Sequence, residues 1–420
     1  MKSNSLLAGL SFSSGQRMMA TPSTQAIAQF EVVTDVETFV SLQQEWDELW
    51  RAAKGTPFQL FRYCLHALRE VAIPTGATLH CIIGRKDGRM VFGWPLIRNR
   101  ECLWTTLRPL APDTSEPYLL VANGEDPESL VSAAWRVLLS SCGSDVISLP
   151  MVRTDSALYR VGLGAKRLSR GERRVVRVVP LLRCKTWAEF RGGLADSVRK
   201  EQDYLQRRLV KAGKVSMFIS DLADPVSATY VRTMLEWKRQ WAERVGVEGD
   251  FFKEPYQNFL RKISTDPSFK RALHLFILSL DGKAIAVNLV AISERSVIGM
   301  QAAFDPAHAK YSPGSLLLEH VMKWAFENQR DFDLGPGDSK YKSNWAGGSG
   351  YTCTDLRIAV SLWGQTDLAA RALQRQCEKL RLRIAAGPVG HLWKTRLGSK
   401  PTSPKPPVRE DSKCPPAKDR

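Results

Sequence analysis

The sequence predicts an α/β (α+β) fold built from two tandem copies of one unit, each a mixed, largely antiparallel sheet flanked by helices. Three observations carry that prediction. Short apolar runs are turned back on themselves at Asp87-Gly88 and again at Asp281-Gly282, and Asp-Gly accepts the positive φ angles that a tight hairpin requires. Each hairpin is followed by a third strand, after which the apolar period changes from two to that of a helix. Leu79, His80, Asp87 and Gly88 recur as Leu273, His274, Asp281 and Gly282, each 194 residues on, and tandem copies are the economical source of a constant offset.

Taken in order, the chain is expected to begin with a disordered leader over 1–28, followed by a strand at 30–33. A helix over 36–53 places Phe39, Leu42, Trp46, Leu49 and Trp50 on one face, and a second helix spans 61–71. Strands follow at 78–83, 90–97 and 103–110, then a helix with Asp126 as cap and Pro127 in its first turn, and a strand at 146–149. Residues 166–174 read as an exposed basic connection, leading to a strand at 175–182. The next helix, capped by Asp196 or Ser197 and ended by Gly213, groups Val198, Leu205, Leu209 and Ala212 on one face and covers the rest with arginine and lysine. A strand at 214–220 precedes a long helix over 225–244, on which Tyr230, Met234, Trp237 and Trp241 recur at helical spacing.

The second hairpin joins 275–280 to 284–292, and a polar reversal at 294–296 leads to the strand 297–304. At Lys310, Tyr311, Ser312, Pro313, Gly314 and Ser315 the period becomes helical. Ser312 is placed to cap and Pro313 to take the first helical position, where a missing N–H costs nothing. A helix start offers backbone N–H groups and a positive dipole end, and nothing acidic lies between Lys310 and Leu318. A phosphate there meets donors and no repulsion; a plain helix start is the competing reading. After a strand at 331–334, Gly335, Pro336, Gly337 and Asp338 open into a tip carrying Lys340, Tyr341, Lys342 and Trp345, and strand ends with convergent polar groups are where chemistry is commonly mounted. A strand at 354–362 and a basic helix at 367–385 close the ordered part.

The ordered set Asp281-Gly282, Phe304-Asp305-Pro306, Ser312 to Leu318, Asp333 to Asp338, Tyr341-Lys342 and Trp345 resembles the GNAT-type acetyltransferases of the cellulose-biosynthesis (CelD-like) branch, which are themselves similar to Fem-type transferases. The close match runs from about Leu273 to Trp345, with looser similarity back to about Arg183. The resemblance implies tandem GNAT-like domains and acetyl-CoA or another acyl-CoA as donor, its pyrophosphate held by the backbone of residues 310–315. The chain is expected to divide into a noncatalytic N-terminal GNAT-like domain over 29–165 on the acceptor side, a C-terminal GNAT acetyltransferase domain over 166–365, a basic helix over 366–396 and, from its proline content, a disordered Pro/Lys-rich tail over 397–420. The first copy's helix opens amid Glu125, Asp126 and Glu128, carboxylates that repel a pyrophosphate, so that copy is not expected to bind the donor.

The chain has no Gly-x-Ser-x-Gly elbow and no cysteine with an obvious partner, which fits direct attack by a bound amine or hydroxyl without a covalent enzyme intermediate. Asp338 is the first choice for proton acceptor and Asp333 the second; a carboxylate that merely caps its own turn is an equally common use. Lys342 and Tyr341 are candidates for binding the acceptor, neutralising developing charge or protonating the leaving thiolate. Trp345 and Trp237 are candidates for the acceptor groove.

Composition narrows the alternatives. At 44% hydrophobic and 25% charged, 420 residues suffice for two globular domains. No apolar run reaches the roughly 18 residues of a membrane span, and the eight cysteines lie at no zinc-ligand spacing, so a cytoplasmic location and no metal are expected. Sixty Lys and Arg against 43 Asp and Glu give +17, which calls for a polyanionic partner. A nucleic-acid module is disfavoured, because the basic residues are dispersed and no helix-turn-helix or zinc-finger pattern is present. Fem-like aminoacyl transfer from transfer RNA and a noncatalytic role in a polysaccharide-synthesis complex stay open, as do the acceptor, sugar included, and the oligomeric state.

Overall fold

The computed structural model describes residues 28–110, 119–249, 252–337 and 339–386. All but the last residue of the expected leader, the whole tail and Asp338 lie outside them. The first half comprises β1 (Gln29–Val33), α1 (Val36–Ser41), α2 (Gln43–Ala52), α3 (Phe61–Ala67), β2 (Thr78–Leu79), β3 (Cys81–Lys86), β4 (Arg89–Trp94), β5 (Leu96–Glu101), β6 (Trp104–Pro109), β7 (Leu120–Val121), α4 (Pro127–Ser141), β8 (Val146–Arg153), α5 (Ala157–Leu163), β9 (Leu168–Arg170) and β10 (Arg174–Val179). The second comprises α6 (Trp187–Gly193), α7 (Asp196–Val210), β11 (Val215–Ser220), α8 (Pro225–Val245), α9 (Glu254–Ile263), β12 (Leu273–Leu280), β13 (Lys283–Ile292), β14 (Ser296–Phe304), α10 (Pro313–Glu327), β15 (Asp331–Asp333), α11 (Lys340–Ala346), β16 (Gly350–Ala359) and α12 (Leu362–Ala386).

The architecture is mixed α/β, with large, mainly antiparallel sheets flanked by helices. One sheet runs β1-β3-β4-β7, and a larger one runs β11-β12-β13-β14-β15-β10-β16-β8-β6-β5-β2 with β9 beside β16. In the larger sheet, β10 lies between β15 and β16, while β16 pairs with β8. A strand from before α7 thus completes the second half's sheet, and the last strand among the described residues joins the first half's.

The two hairpins agree in detail. Asp87 and Asp281 have φ of 51° and 50°, and Gly88 and Gly282 have 75° and 78°, the left-handed pair that a two-residue turn demands. A bulge falls between Gly84 and Arg85 in one hairpin and between Leu278 and Ser279 in the other, again 194 residues apart.

One core draws on both halves. Phe39, Trp46 and Phe61 share it with Phe259, Phe269 and Ile277, Tyr63 meets Phe259 edge to face at 5.0 Å, and His66 Nε2 lies 2.9 Å from Asp266 Oδ2. Burying a large apolar side chain contributes about 1.5–3 kcal/mol, so this seam is a strong reason for the halves to stay together. A second core, between the sheet and α7 and α10, contains Phe276, Val297, Leu317, Phe332 and Trp345.

Several expected elements differ. The helix over 36–53 breaks at Leu42 into α1 and α2, and the helix over 61–71 loosens after Ala67 into a wider turn over Leu68–Ala72. The strand through His80 and the one through Pro95 are each cut in two as they pass from one sheet to the other; Pro95 has no N–H to continue a ladder. The connection over 166–174 contains β9, paired with β16. Neither Asp196 nor Ser197 caps α7: Ala195 holds that position without a side-chain bond, and Ala212 lies past the helix, exposed. The sequence reading passed over α9, whose signal was Tyr256, Phe259, Leu260 and Ile263 on one face.

Candidate active site

The strands fork where the second half's sheet meets α10. β14 pairs in parallel with β15 only through Ser296, Val297 and Ile298, opposite Asp331, Phe332 and Asp333. Against β13, the register slips so that Leu289 faces Gln301 while Val290 faces Gly299, leaving Met300 as an extra residue. Such a bulge bends its strand and increases local twist. From there β14 continues to Phe304, whereas the chain after β15 turns away at Gly335, whose φ is +72°. The two branches are in ordinary van der Waals contact at the apex: a Cβ on Gly335 would stand 3.5 Å from the Gly299 carbonyl oxygen, and one on Gly299 would stand 3.5 Å from that of Asp333. Beyond the apex, no described strand pairs with the β15-facing edge of β14.

α10 begins past the open end of β14, and here the expected cap is corrected. Asp305 caps a 3-10 turn over Pro306–Tyr311, accepting from the Ala307 N–H at 2.9 Å. Ser312 then adopts a left-handed conformation (φ 47°, ψ 51°), which carries its side chain out of reach of the helix N–H groups, and it makes no side-chain cap bond. The Ser312 N–H donates to Ala309 O, and the Ser315 N–H donates to Ser312 O at 3.0 Å. With Pro313 lacking an N–H, fewer backbone donors face outward than the sequence suggested. The positive character of the corner comes in larger part from side chains. Arg208 of α7 donates to the Lys310 carbonyl at 3.0 Å, and its guanidinium and the Lys310 ammonium lie 5.6 and 5.0 Å from the Tyr311 ring centre. No acidic residue occupies the first turn.

Asp333 sits at the apex of the fork. Its register partners Ile298 and Val178 share its face of the sheet, and Ile298 belongs to the core on the α8 side. Asp333 therefore faces away from α10, toward the seam between the halves. It is 8% exposed. One carboxylate oxygen accepts from the Gly335 N–H at 2.7 Å and the other from the Tyr351 hydroxyl at 2.9 Å; the Tyr351 ring in turn lies 4.4 Å beneath the Arg153 guanidinium, contributed by β8. Burial pushes the Asp333 carboxyl above its ordinary value, while the Gly335 and Tyr351 hydrogen bonds and the charges of Lys342 and Arg153 pull it back.

The remaining candidates divide between the two sides. Lys342 is buried in α11 and donates to the carbonyls of Gly335 (3.3 Å) and Pro336 (2.6 Å), tying the tip to the helix that follows it. Tyr341 is exposed. Trp345 is 4% exposed within the α10-side core, which corrects its expected place in an acceptor groove: its ring fills the interior. Trp237 is half-buried on α8, on the same side of the sheet as Asp333. Tyr351 and Arg153 escaped the sequence reading, because only the exchange of β10 and β16 brings them to Asp333.

The first half has no equivalent corner. At the start of α4, Asp126 itself accepts from the Glu128 and Ser129 N–H groups at 3.1 and 3.3 Å, and Glu125 and Glu128 pair with Lys86 and Arg160. The helix end is already occupied by its own carboxylate. Asp126→Ala is expected to cost about 1 kcal/mol of stability, read as a lower melting temperature, with donor affinity unchanged.

Residues 196–343 match the acetyltransferase (GNAT) domain family. No curated protein matches the chain. Among solved structures it is similar to FemX, at 14% identity and TM-score 0.52 over 78% of this chain and 97% of that one. It is also similar to a conserved protein of unknown function from Bacteroides thetaiotaomicron VPI-5482, at 9% identity and TM-score 0.50 over 78% and 100%. A tandem GNAT protein from the clavulanic acid biosynthesis pathway aligns at 15% identity and TM-score 0.45 over 79% and 99%. Among the described residues no helix is long and apolar enough to cross a membrane. The β14–β15 fork and α10 lie inside the segment that matches this domain family.

Proposed function

We propose that this protein transfers an acyl group, with acetyl as the first candidate, from acyl-coenzyme A to an amine or hydroxyl acceptor, by direct attack and without a covalent enzyme intermediate. The observation that carries this reading is the fork: an unpaired strand edge leading from a basic helix start to a buried carboxylate. The edge of β14 suits an extended, amide-bearing arm, which can add to a strand by main-chain hydrogen bonds. The start of α10 suits the phosphates at the far end of that arm, with residues 310–315 as the contact surface. Asp333, raised by burial toward the range useful for proton transfer, is assigned as acceptor of the nucleophile's proton, directly or through water; Asp338, four residues after Leu334 in the same tip, is the competing carboxylate. Lys342 holds the tip in place, and the Tyr341 hydroxyl, on an exposed side chain, is assigned to the leaving thiolate. The acceptor enters from the Asp333 face, between α8 and the first half, where Trp237 and the side chains of both halves form the walls. A sugar of an exopolysaccharide or the cell envelope is the acceptor class to screen first.

The test is a thermal-shift titration with acetyl-coenzyme A, followed by detection of free coenzyme A thiol with panels of amines and sugars. A concentration-dependent rise in melting temperature is expected, and acceptor-dependent thiol release identifies the acceptor. No shift at millimolar acetyl-coenzyme A would remove the donor from the reading.

A further inference from the structure

We propose that α7 completes the donor site: the Gln202 amide and the Arg208 guanidinium bind the diphosphate of a nucleotide-bearing donor at the start of α10. The inference rests on the acyl-coenzyme A reading above and adds to it two ligands from outside the 310–315 turn.

Gln202 is a polar side chain on the buried face of a helix, beside Val198, Leu205 and Leu209, and only 5% of it is exposed. Its Nε2 donates to Ser315 Oγ, in the first turn of α10, at 2.6 Å. Its Oε1 is buried and has no hydrogen-bond partner among the described residues. A leucine would fill such a position at no polar cost, so an amide with one unanswered end points to something that answers it. The two ends of an amide are nearly alike in size and shape, so the group can be turned over in place. Turned over, Gln202 accepts from the Ser315 hydroxyl, and its two N–H groups become the unanswered pair. In either orientation the Ser315 hydroxyl satisfies only one end.

Charge decides which ligand fits. The neighbouring groups are the positive end of α10, Arg208 and Lys310, with no acid in that helix's first turn; Glu319, one turn further on, is paired with Arg191 at 2.7 Å. Donors and cations together select an anionic oxygen, and the turned amide supplies the N–H groups for it. Arg208 lies six residues after Gln202 on α7, about 9 Å along the helix axis, a separation that suits two linked phosphates better than one. Among the described residues Arg208 is exposed and is held through the Lys310 carbonyl and the Tyr311 face, so it can reach a ligand with its remaining N–H groups.

The experiment is a calorimetric titration of the full chain with coenzyme A and, separately, with pantetheine, which has the same thiol-bearing arm and no phosphate. The variants are Gln202→Met, close to glutamine in volume, and Arg208→Ala on the exposed face. Lys200→Ala, on the exposed surface of α7 where the lysine pairs loosely with Asp196, is the control. Each of the two variants is expected to weaken coenzyme A binding about 10–100-fold, the range for a hydrogen bond to a charged group, with pantetheine affinity and the control unchanged. Coenzyme A bound as tightly by both variants as by the parent overturns the proposal. So does an equal loss of pantetheine, since that would place α7 against the arm and not the phosphates. If the parent itself binds coenzyme A no better than pantetheine, the donor reading fails first, and the inference falls with it.

Discussion

Asp333→Asn is expected to lower turnover by about 10²–10⁴-fold, the usual effect of removing a positioned proton acceptor, with acyl-coenzyme A affinity nearly unchanged. Asparagine keeps the local structure: its carbonyl oxygen still accepts from the Gly335 N–H, and its amide can donate to the Tyr351 oxygen, so both bonds that fix the apex have a counterpart. What it cannot do is take a proton. The parent's turnover is expected to rise with pH through the elevated Asp333 ionisation, because the base works only when deprotonated. Tyr351→Phe removes a hydrogen bond that favours the charged carboxylate, so this limb should move to higher pH, where a purely structural role would lower turnover equally at every pH. The stability linkage has the opposite sense: a carboxyl whose folded value is raised favours the native state below its unfolded value, and that contribution is lost as pH rises through the folded value. Unfolding measured across the same interval should therefore show Asp333→Asn gaining relative to the parent at the alkaline end. Full activity in Asp333→Asn with Asp338→Asn inactive would transfer the role to the tip residue.

The hairpins were legible because Asp-Gly turns and their flanking apolar runs are local signals, and the constant offset made the repeat visible without any structure. The helix at 313–327 was legible for the same reason. Strand exchange was not. Nothing within the segments 174–179 and 350–359 says that they lie side by side, or that the second of them pairs with β8 of the first half; that choice is made by the whole sheet. Arg153 and Tyr351 were invisible as site residues for that reason, standing 198 positions apart in the chain. Nor does the sequence show that the Lys342 ammonium is directed at the carbonyls of Gly335 and Pro336. Trp345 was misjudged because an aromatic at a polar tip can point either way, and only the packing of α11 on the α10-side core turns it inward. Ser312 failed as a cap through its left-handed backbone, which the sequence Tyr-Ser-Pro does not announce.

Gly314→Asp is expected to abolish donor binding, and the geometry now says how much of that loss is charge. A Cβ at Gly314 would stand 3.3 Å from Cδ1 of Phe304, tight enough to displace that ring slightly but not to break the helix, so Gly314→Ala should fold and lose little affinity. Aspartate adds to the same small steric change a negative charge in the first turn of α10, beside Arg208 and Lys310. There it would set a carboxylate against the positive end of the helix, as Asp126 does at α4, and neutralise the cations, closing the corner to phosphate. The folded aspartate variant should even gain a few tenths of a kcal/mol from the helix dipole while acetyl-coenzyme A no longer raises its melting temperature. The pair of variants separates the explanations. Equal loss in Gly314→Ala and Gly314→Asp would make the effect steric and leave the charge argument without support. Retained donor affinity in a folded Gly314→Asp would place the phosphates elsewhere on the protein.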